Sequence, residues 1–197
     1  IICLARGGLR VGDVLSRIYE HPLAVLSTHS YSAEGGTIRA LAADPGTPAR
    51  VYAGTSTGGG VFRTTDGGTT WAQAGTGLPF AFTVTALVVD RSTPTTVYAA
   101  TSGGVWKSTD AGDTWTAANS GLAGNSIQAL ALDPARPSTL YAGTGTAGVY
   151  KSADGGSSWT AVNTGLGSAF LRAIAVDASA GAVYAGTSGG VYKSTNG

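Results

Sequence analysis

The 197-residue chain carries 12 Lys and Arg against 11 Asp and Glu, a formal net charge of +1. That balance gives no electrostatic footprint for nucleic acid or an anionic membrane surface, and no apolar run approaches the ~20 residues that cross a bilayer as a helix. A single cysteine, Cys3, excludes an intrachain disulfide and a thiolate zinc site, while 31 glycines and only 12% charged residues point to short strands joined by tight turns.

Residues 1–37 form a non-repeat segment. Ile1 to Ala5 reads as a short buried strand. Leu9, Val11, Val14, Leu15 and Ile18 approximate a helical face that Pro22 ends, and Leu23 to Thr28 is a second apolar run. The pattern is βαβ-like, with a Gly-Gly turn after the first strand. The run Ala5-Arg6-Gly7-Gly8 resembles the turn after the first core strand of type I phosphoribosyltransferases. The resemblance implies a vestigial anion loop at Arg6, Gly7 and Gly8, because backbone N–H groups before a helix can hold phosphate. The ribose-phosphate motif of that family has no match here, so the resemblance implies a fusion fragment without a complete active site. The two histidines, His21 and His29, have no Cys or Asp partners at ligand spacing and read as surface or core residues.

From residue 38 the chain repeats. RTTDGGTTW, KSTDAGDTW and KSADGGSSW end at Trp71, Trp115 and Trp159, spaced by 44 residues, and KSTNG begins a fourth copy at Lys193. Each unit has four elements in one order: A (IRALAAD, VTALVVD, IQALALD, LRAIAVD), B (VYAGTS and its variants), C (GVWKSTD and its variants) and D after the tryptophan. Four strands in ~44 residues is the size of a propeller blade. The predicted fold class is therefore all-β, a propeller of about four units at 38–82, 83–125, 126–169 and an incomplete 170–197. Ile127, Ala129, Leu130 and Leu132 are apolar on both faces of element A, as a strand sandwiched between neighbouring sheets requires. Gly103 and Gly104 suit a tight turn between B and C.

The motif Ser/Thr-x-Asp-x-Gly-x-Thr/Ser-Trp, at Thr64–Trp71, Ser108–Trp115 and Ser152–Trp159, resembles the Asp-box or BNR repeat. The full unit is similar to the repeats of xyloglucanase-like glycoside hydrolases, sortilin-type receptors and photosystem-assembly propellers. The resemblance implies that Asp66, Asp110 and Asp154 accept N–H groups inside a C–D hairpin, and that Trp71, Trp115 and Trp159 pack between sheets. Each such loop offers one or two carboxylates, too few for a calcium site, so neither a metal nor a cofactor is expected. Asn196 stands for Asp in the fourth copy.

The fourth unit lacks element D, and the chain begins without Met and stops within a motif, so both ends read as cut. Three closures follow: a strand at residues 23–31 completing a four-bladed ring, further blades beyond this chain, or a homo-oligomer that completes a larger ring.

A glycosidase needs two carboxylates about 5–10 Å apart. Asp44, Asp90, Asp133 and Asp177 recur at one place in every unit, which marks them as turn residues, and the acids outside the repeat are few: Asp13, Glu20, Glu34 and Asp113. Arg39, Arg50, Arg63, Arg91, Arg136 and Arg172 show no set suited to a substrate carboxylate. No catalytic residue is assigned. The candidate ligand surface is strand C, where Phe62, Trp106, Tyr150 and Tyr192 precede Arg63, Lys107, Lys151 and Lys193; such side chains could meet a sugar or an anionic peptide, or fill layers between sheets. The leading expectation is a non-catalytic scaffold or binding module for protein or carbohydrate. The alternatives are a fragment of an Asp-box glycoside hydrolase and, behind it, the phosphoribosyltransferase-related fusion.

Overall fold

The computed structural model describes residues 37–56, 58–123 and 126–195. The expectations for Arg6, Gly7, Gly8, His21, His29, the βαβ-like segment, the closing strand at 23–31 and Asn196 lie outside the described residues. The chain divides between Tyr31 and Ser32, and every described residue belongs to the second part.

All regular elements among the described residues are β-strands. The first sheet is β1 (Ile38–Ala43), β2 (Val51–Thr55), β3 (Val61–Thr64) and β4 (Ala72–Gln73), and the second is β5 (Val84–Val89), β6 (Val97–Thr101), β7 (Gly104–Ser108) and β8 (Thr116–Ala117). The third is β9 (Ile127–Asp133), β10 (Arg136–Thr144), β11 (Val149–Ser152) and β12 (Thr160–Ala161). The fourth has three strands, β13 (Leu171–Asp177), β14 (Ala182–Thr187) and β15 (Gly190–Ser194).

Each sheet is an antiparallel meander with the same register. Tyr52 faces Arg63 across the second and third strands of its sheet, and Tyr98 faces Lys107, Tyr141 faces Lys151 and Tyr184 faces Lys193 in turn. The fourth strand of each complete sheet is only two residues long, shorter than element D suggests. The reason is that the backbone leaves its own sheet there. Thr76 N–H donates to the Asp113 carbonyl at 3.1 Å, and Trp115 N–H donates to the Thr76 carbonyl at 2.9 Å. Element D is therefore the strap to the next sheet.

The first strands form a column, β1 against β5, β5 against β9 and β9 against β13. Both faces of a central A strand are thus covered, and Ile127, Ala129 and Leu130 are all buried. The core is three seams between successive sheets. In the first, Tyr52, Val61 and Ala74 of one sheet meet Val84, Leu87 and Trp115 of the next. A Cβ on Gly54 would lie 2.4 Å from Val84 Cγ1, so the hole left by that glycine is what seats the valine. Each buried Val or Leu of this kind contributes roughly 1.5–3 kcal/mol.

Candidate functional site

At one end of the sheets lie the turns between A and B and those between C and D. Asp44 opens the first A–B turn: its Oδ1 accepts the N–H groups of Gly46 and Thr47 at 2.7 and 3.0 Å, and Oδ2 takes Arg50 at 3.0 Å. Asp90 holds Ser92 and Thr93 in the same way, and Asp177 holds Ser179 and Ala180. Burial alone would push the Asp133 carboxyl up. The Ala135 N–H, the Arg136 guanidinium and the Arg136 N–H outweigh it and hold the group below its ordinary value. Asp177 is held low first by the Ser179 hydroxyl and then by the Ala180 N–H.

The C–D turns are three copies of one closed network. Asp66 Oδ1 accepts the Thr64 hydroxyl at 2.7 Å and the Thr70 N–H at 2.9 Å, and Oδ2 accepts the Thr70 hydroxyl at 2.6 Å. Thr64 Oγ1 in turn accepts the Gly68 N–H at 2.9 Å. Ser108, Asp110, Gly112 and Thr114 repeat this, as do Ser152, Asp154, Gly156 and Ser158. The hydroxyl four residues on, then its N–H, then the hydroxyl two residues before hold Asp66, Asp110 and Asp154 at a pKa of about 2.

The aromatic and the basic residues of the strand C pairs singled out above lie on opposite faces of their sheets. Adjacent residues of a strand point to opposite faces, and the two types part accordingly. Arg63 and Lys107 turn toward the following sheet and donate to its C–D turn, Arg63 Nη1 to the Ala111 carbonyl at 2.5 Å and Lys107 Nζ to the Gly155 carbonyl at 2.8 Å. Tyr52 and Tyr98 reach the same two carbonyls at 3.0 and 3.1 Å. Lys107, Lys151 and Lys193 lie 5.5, 5.6 and 5.5 Å from the ring centroids of Tyr98, Tyr141 and Tyr184. On the other face, Trp106 tilts against Phe82 with ring centroids 6.4 Å apart, and Tyr150 is buried between the second and third sheets.

The B–C turns and the D–A connections share the opposite end. Gly58 N–H donates to the Phe80 carbonyl, Gly148 N–H to Ala169 and Ser188 N–H to Phe170. Here the large rings face water: Phe80 is 51% exposed and Phe170 41%. The Arg172 guanidinium lies 4.7 Å from the centroid of the Phe170 ring. Phe82 rests on Gly103, where a Cβ would sit 2.3 Å from the ring. Exposed aromatic faces beside a cation can stack on sugar C–H groups or on apolar peptide side chains. Sequence reasoning missed Phe80, Phe82 and Phe170 because it sought acids that break the repeat. Aromatic residues that break it, in the D–A connections, were the signal.

Successive antiparallel sheets packed face to face, with their first strands in a central column, define a β-propeller. The chain belongs to the DUF6242 β-propeller domain family, whose model matches residues 27–169. No curated protein matches the sequence significantly. Among solved structures it is similar to an ancestral GH74 enzyme, at 26% identity and a TM-score of 0.69, over 83% of this chain and 23% of that one. The GH74 xyloglucanase of Xanthomonas campestris shares the fold at 23% identity and a TM-score of 0.67, over 80% of this chain and 29% of that one. YCF48 bound to D1 peptide shares it at 17% identity and a TM-score of 0.58, over 79% and 50%. The chain thus spans under a third of the length of these GH74 enzymes.

Proposed function

We propose that this chain is a non-catalytic binding module built of Asp-box units, and that the end bearing Phe80, Phe170 and Arg172 takes a carbohydrate or a peptide. The observation that carries the reading is the state of the carboxylates. Every described one is already engaged: Asp44, Asp90, Asp133 and Asp177 in A–B turns, Asp66, Asp110 and Asp154 in C–D turns, and Asp113 on Arg63 at 2.8 Å. A glycosidase needs one carboxyl to give a proton and another to attack or to activate water. Groups held at a pKa of about 2 inside their own turns suit neither role. The exposed rings at the opposite end suit binding, and similar propellers include a xyloglucanase and a peptide-bound assembly.

The second reading, a fragment of an Asp-box glycoside hydrolase, rests on the 26% identity to the ancestral GH74 enzyme. One titration separates the two. Xyloglucan oligosaccharide and, separately, an extended peptide are added to the chain while heat of binding and reducing-end release are followed. Binding of either without release, weakened about tenfold or more by Phe80→Ala with Phe170→Ala, is the expected result. Release of reducing ends favours the hydrolase fragment. Binding that ignores both substitutions removes this end of the propeller from consideration.

A further inference from the structure

The first two A–B turns share their backbone bonds. Asp44 N–H donates to the Arg50 carbonyl at 3.0 Å and Arg50 N–H to the Thr47 carbonyl at 2.8 Å, and Asp90, Thr96 and Thr93 repeat both distances. Thr96 therefore stands where Arg50 stands. What differs is the second carboxylate oxygen. Asp44 Oδ2 takes the Arg50 guanidinium at 3.0 Å, and in the third turn Asp133 Oδ2 takes Arg136 at 2.8 Å. Asp90 is 7% exposed, against 0% and 1% for those two. Among the described residues its carboxylate accepts only the Ser92 and Thr93 N–H groups, both through Oδ1, and pairs with no cation. A buried carboxylate without a counter-charge is costly.

Asp90 lines a cavity of about 240 Å³, together with Val88, Leu132, Val176, Pro134 and Pro137. A local break in the repeat opens it. A Cβ on Gly46 would lie 3.3 Å from Pro94 Cγ, so the first two turns approach closely there. Ser92 takes the place of that glycine one unit on, and it lines the cavity. Pockets for small molecules usually hold about 300–1,000 Å³, so this one suits a single side chain rather than an oligosaccharide. Its walls are mostly aliphatic and its one carboxylate is Asp90. Arg91 stands at its edge, exposed and with no ion pair among the described residues. The charge of Asp90 is felt nearby: burial and then Asp90 raise the Tyr98 hydroxyl, whereas at Tyr52 the guanidinium groups of Arg50 and Arg63 oppose burial.

We propose that this cavity takes an arginine side chain of a partner polypeptide, with its guanidinium on Asp90 Oδ2 and its methylene stem against Leu132 and Val176. The occupant is selected by charge and by precedent within the chain. Two sister carboxylates already hold a guanidinium on the same oxygen, and Arg50 does so from the position that Thr96 occupies in the second turn. A planar guanidinium matches carboxylate geometry, and the stem of a long cation lies well along apolar walls. The site is at the end of the sheets opposite Phe80 and Phe170, so its failure would leave binding at that end untouched.

The test is an NMR titration of the full isotope-labelled chain with Nα-acetyl-arginine methylamide and, separately, with the citrulline counterpart, which has the same shape and no charge. The Ser92 and Thr93 amide signals report on the site, because both N–H groups donate to Asp90 Oδ1. They are expected to move and saturate at roughly 1–10 mM of the arginine derivative and to stay in place with the citrulline derivative. Asp90→Asn and Thr96→Arg are each expected to weaken this binding about tenfold or more, the second because it supplies a guanidinium from within the turn, as Arg50 does. Thr96→Arg keeps the carboxylate and so decides the matter if Asp90→Asn fails to fold. Equal shifts with both derivatives, or unchanged binding in Thr96→Arg, overturn the proposal. So does a wild-type chain that binds neither derivative, including the case in which Arg91→Ala gains binding, since Arg91 would then itself be the occupant.

Discussion

The indole N–H of Trp115 donates to the carbonyl of Ala74 at 3.1 Å, across the seam between the first and second sheets. Trp159 repeats this contact on Ala118 at 2.9 Å. The contact runs backward along the chain, whereas Tyr52 and Arg63 reach forward to Ala111. The first two seams are thus clasped from both sides, once by the arriving tryptophan and once by the receiving tyrosine and cation.

Truncating the arriving partner should open the seam. Trp115→Ala removes a buried ring and leaves the Ala74 carbonyl without its donor, so a loss of about 3–5 kcal/mol is expected. Trp115→Phe keeps most of the apolar contact and should cost less than the alanine variant. Urea unfolding followed by circular dichroism would measure both, and equal losses would mean that the apolar ring contact contributes nothing and that the loss comes from the hydrogen bond that both variants remove.

The receiving tyrosines are not equivalent. Tyr98 donates to Gly155, whereas the buried Tyr141 hydroxyl has no partner among the described residues, nor has the buried Trp106 Nε1. Tyr98→Phe is expected to cost about 1 kcal/mol and Tyr141→Phe close to nothing, since removing an unsatisfied buried group relieves its desolvation. Burial and then the nearby Asp90 push the Tyr98 hydroxyl up to about 12. Its contribution to stability is therefore complete below pH 10 and lost as pH rises toward 12. Absorbance titration of the native chain should show one phenol ionising near that value, and Tyr98→Phe should remove it.

Acid should act on the C–D turns. Asp66, Asp110 and Asp154 have carboxyls lowered to about 2 by bonds that exist only in the folded turn. A lowered pKa stabilises the fold above the unfolded value of about 4, and that contribution disappears as pH falls from there to about 2. Thermal midpoints should therefore drop across that window. Asp110→Asn should lower the midpoint at neutral pH and flatten the fall on acidification. A variant whose midpoint still falls as steeply as that of the wild type would locate the acid sensitivity elsewhere.

Glycine at the strap is tested by a control within the chain. Gly121 has φ +82°, and a Cβ there would lie 2.3 Å from the Trp159 carbonyl oxygen. Gly165, at the same place one unit later, has φ +80° with nothing within 4 Å. Gly165→Ala should cost only the left-handed backbone strain, about 1–2 kcal/mol, and Gly121→Ala distinctly more. Equal losses in thermal unfolding would mean that the close approach of the two backbones is unimportant.

The sequence by itself determined the unit, its four elements and the interior of each motif turn. Those features are local: Asp66 bonds Thr64 and Thr70, two and four residues away, and neighbouring strands are joined by short turns. Local hydrogen bonds and a period of two are legible wherever they recur in register. The tertiary structure alone decided what the repeated side chains do. Phe62 and Arg63 are adjacent in sequence, yet the pleat sends them to opposite faces of the sheet. Arg63 is then used at Ala111, 48 residues on, and Trp115 at Ala74, 41 residues back. The same holds for Val191, which has the sequence surroundings of Val61, Val105 and Val149 but is exposed where they are buried. Its environment depends on whether another sheet arrives, and no residue beside it in the chain encodes that.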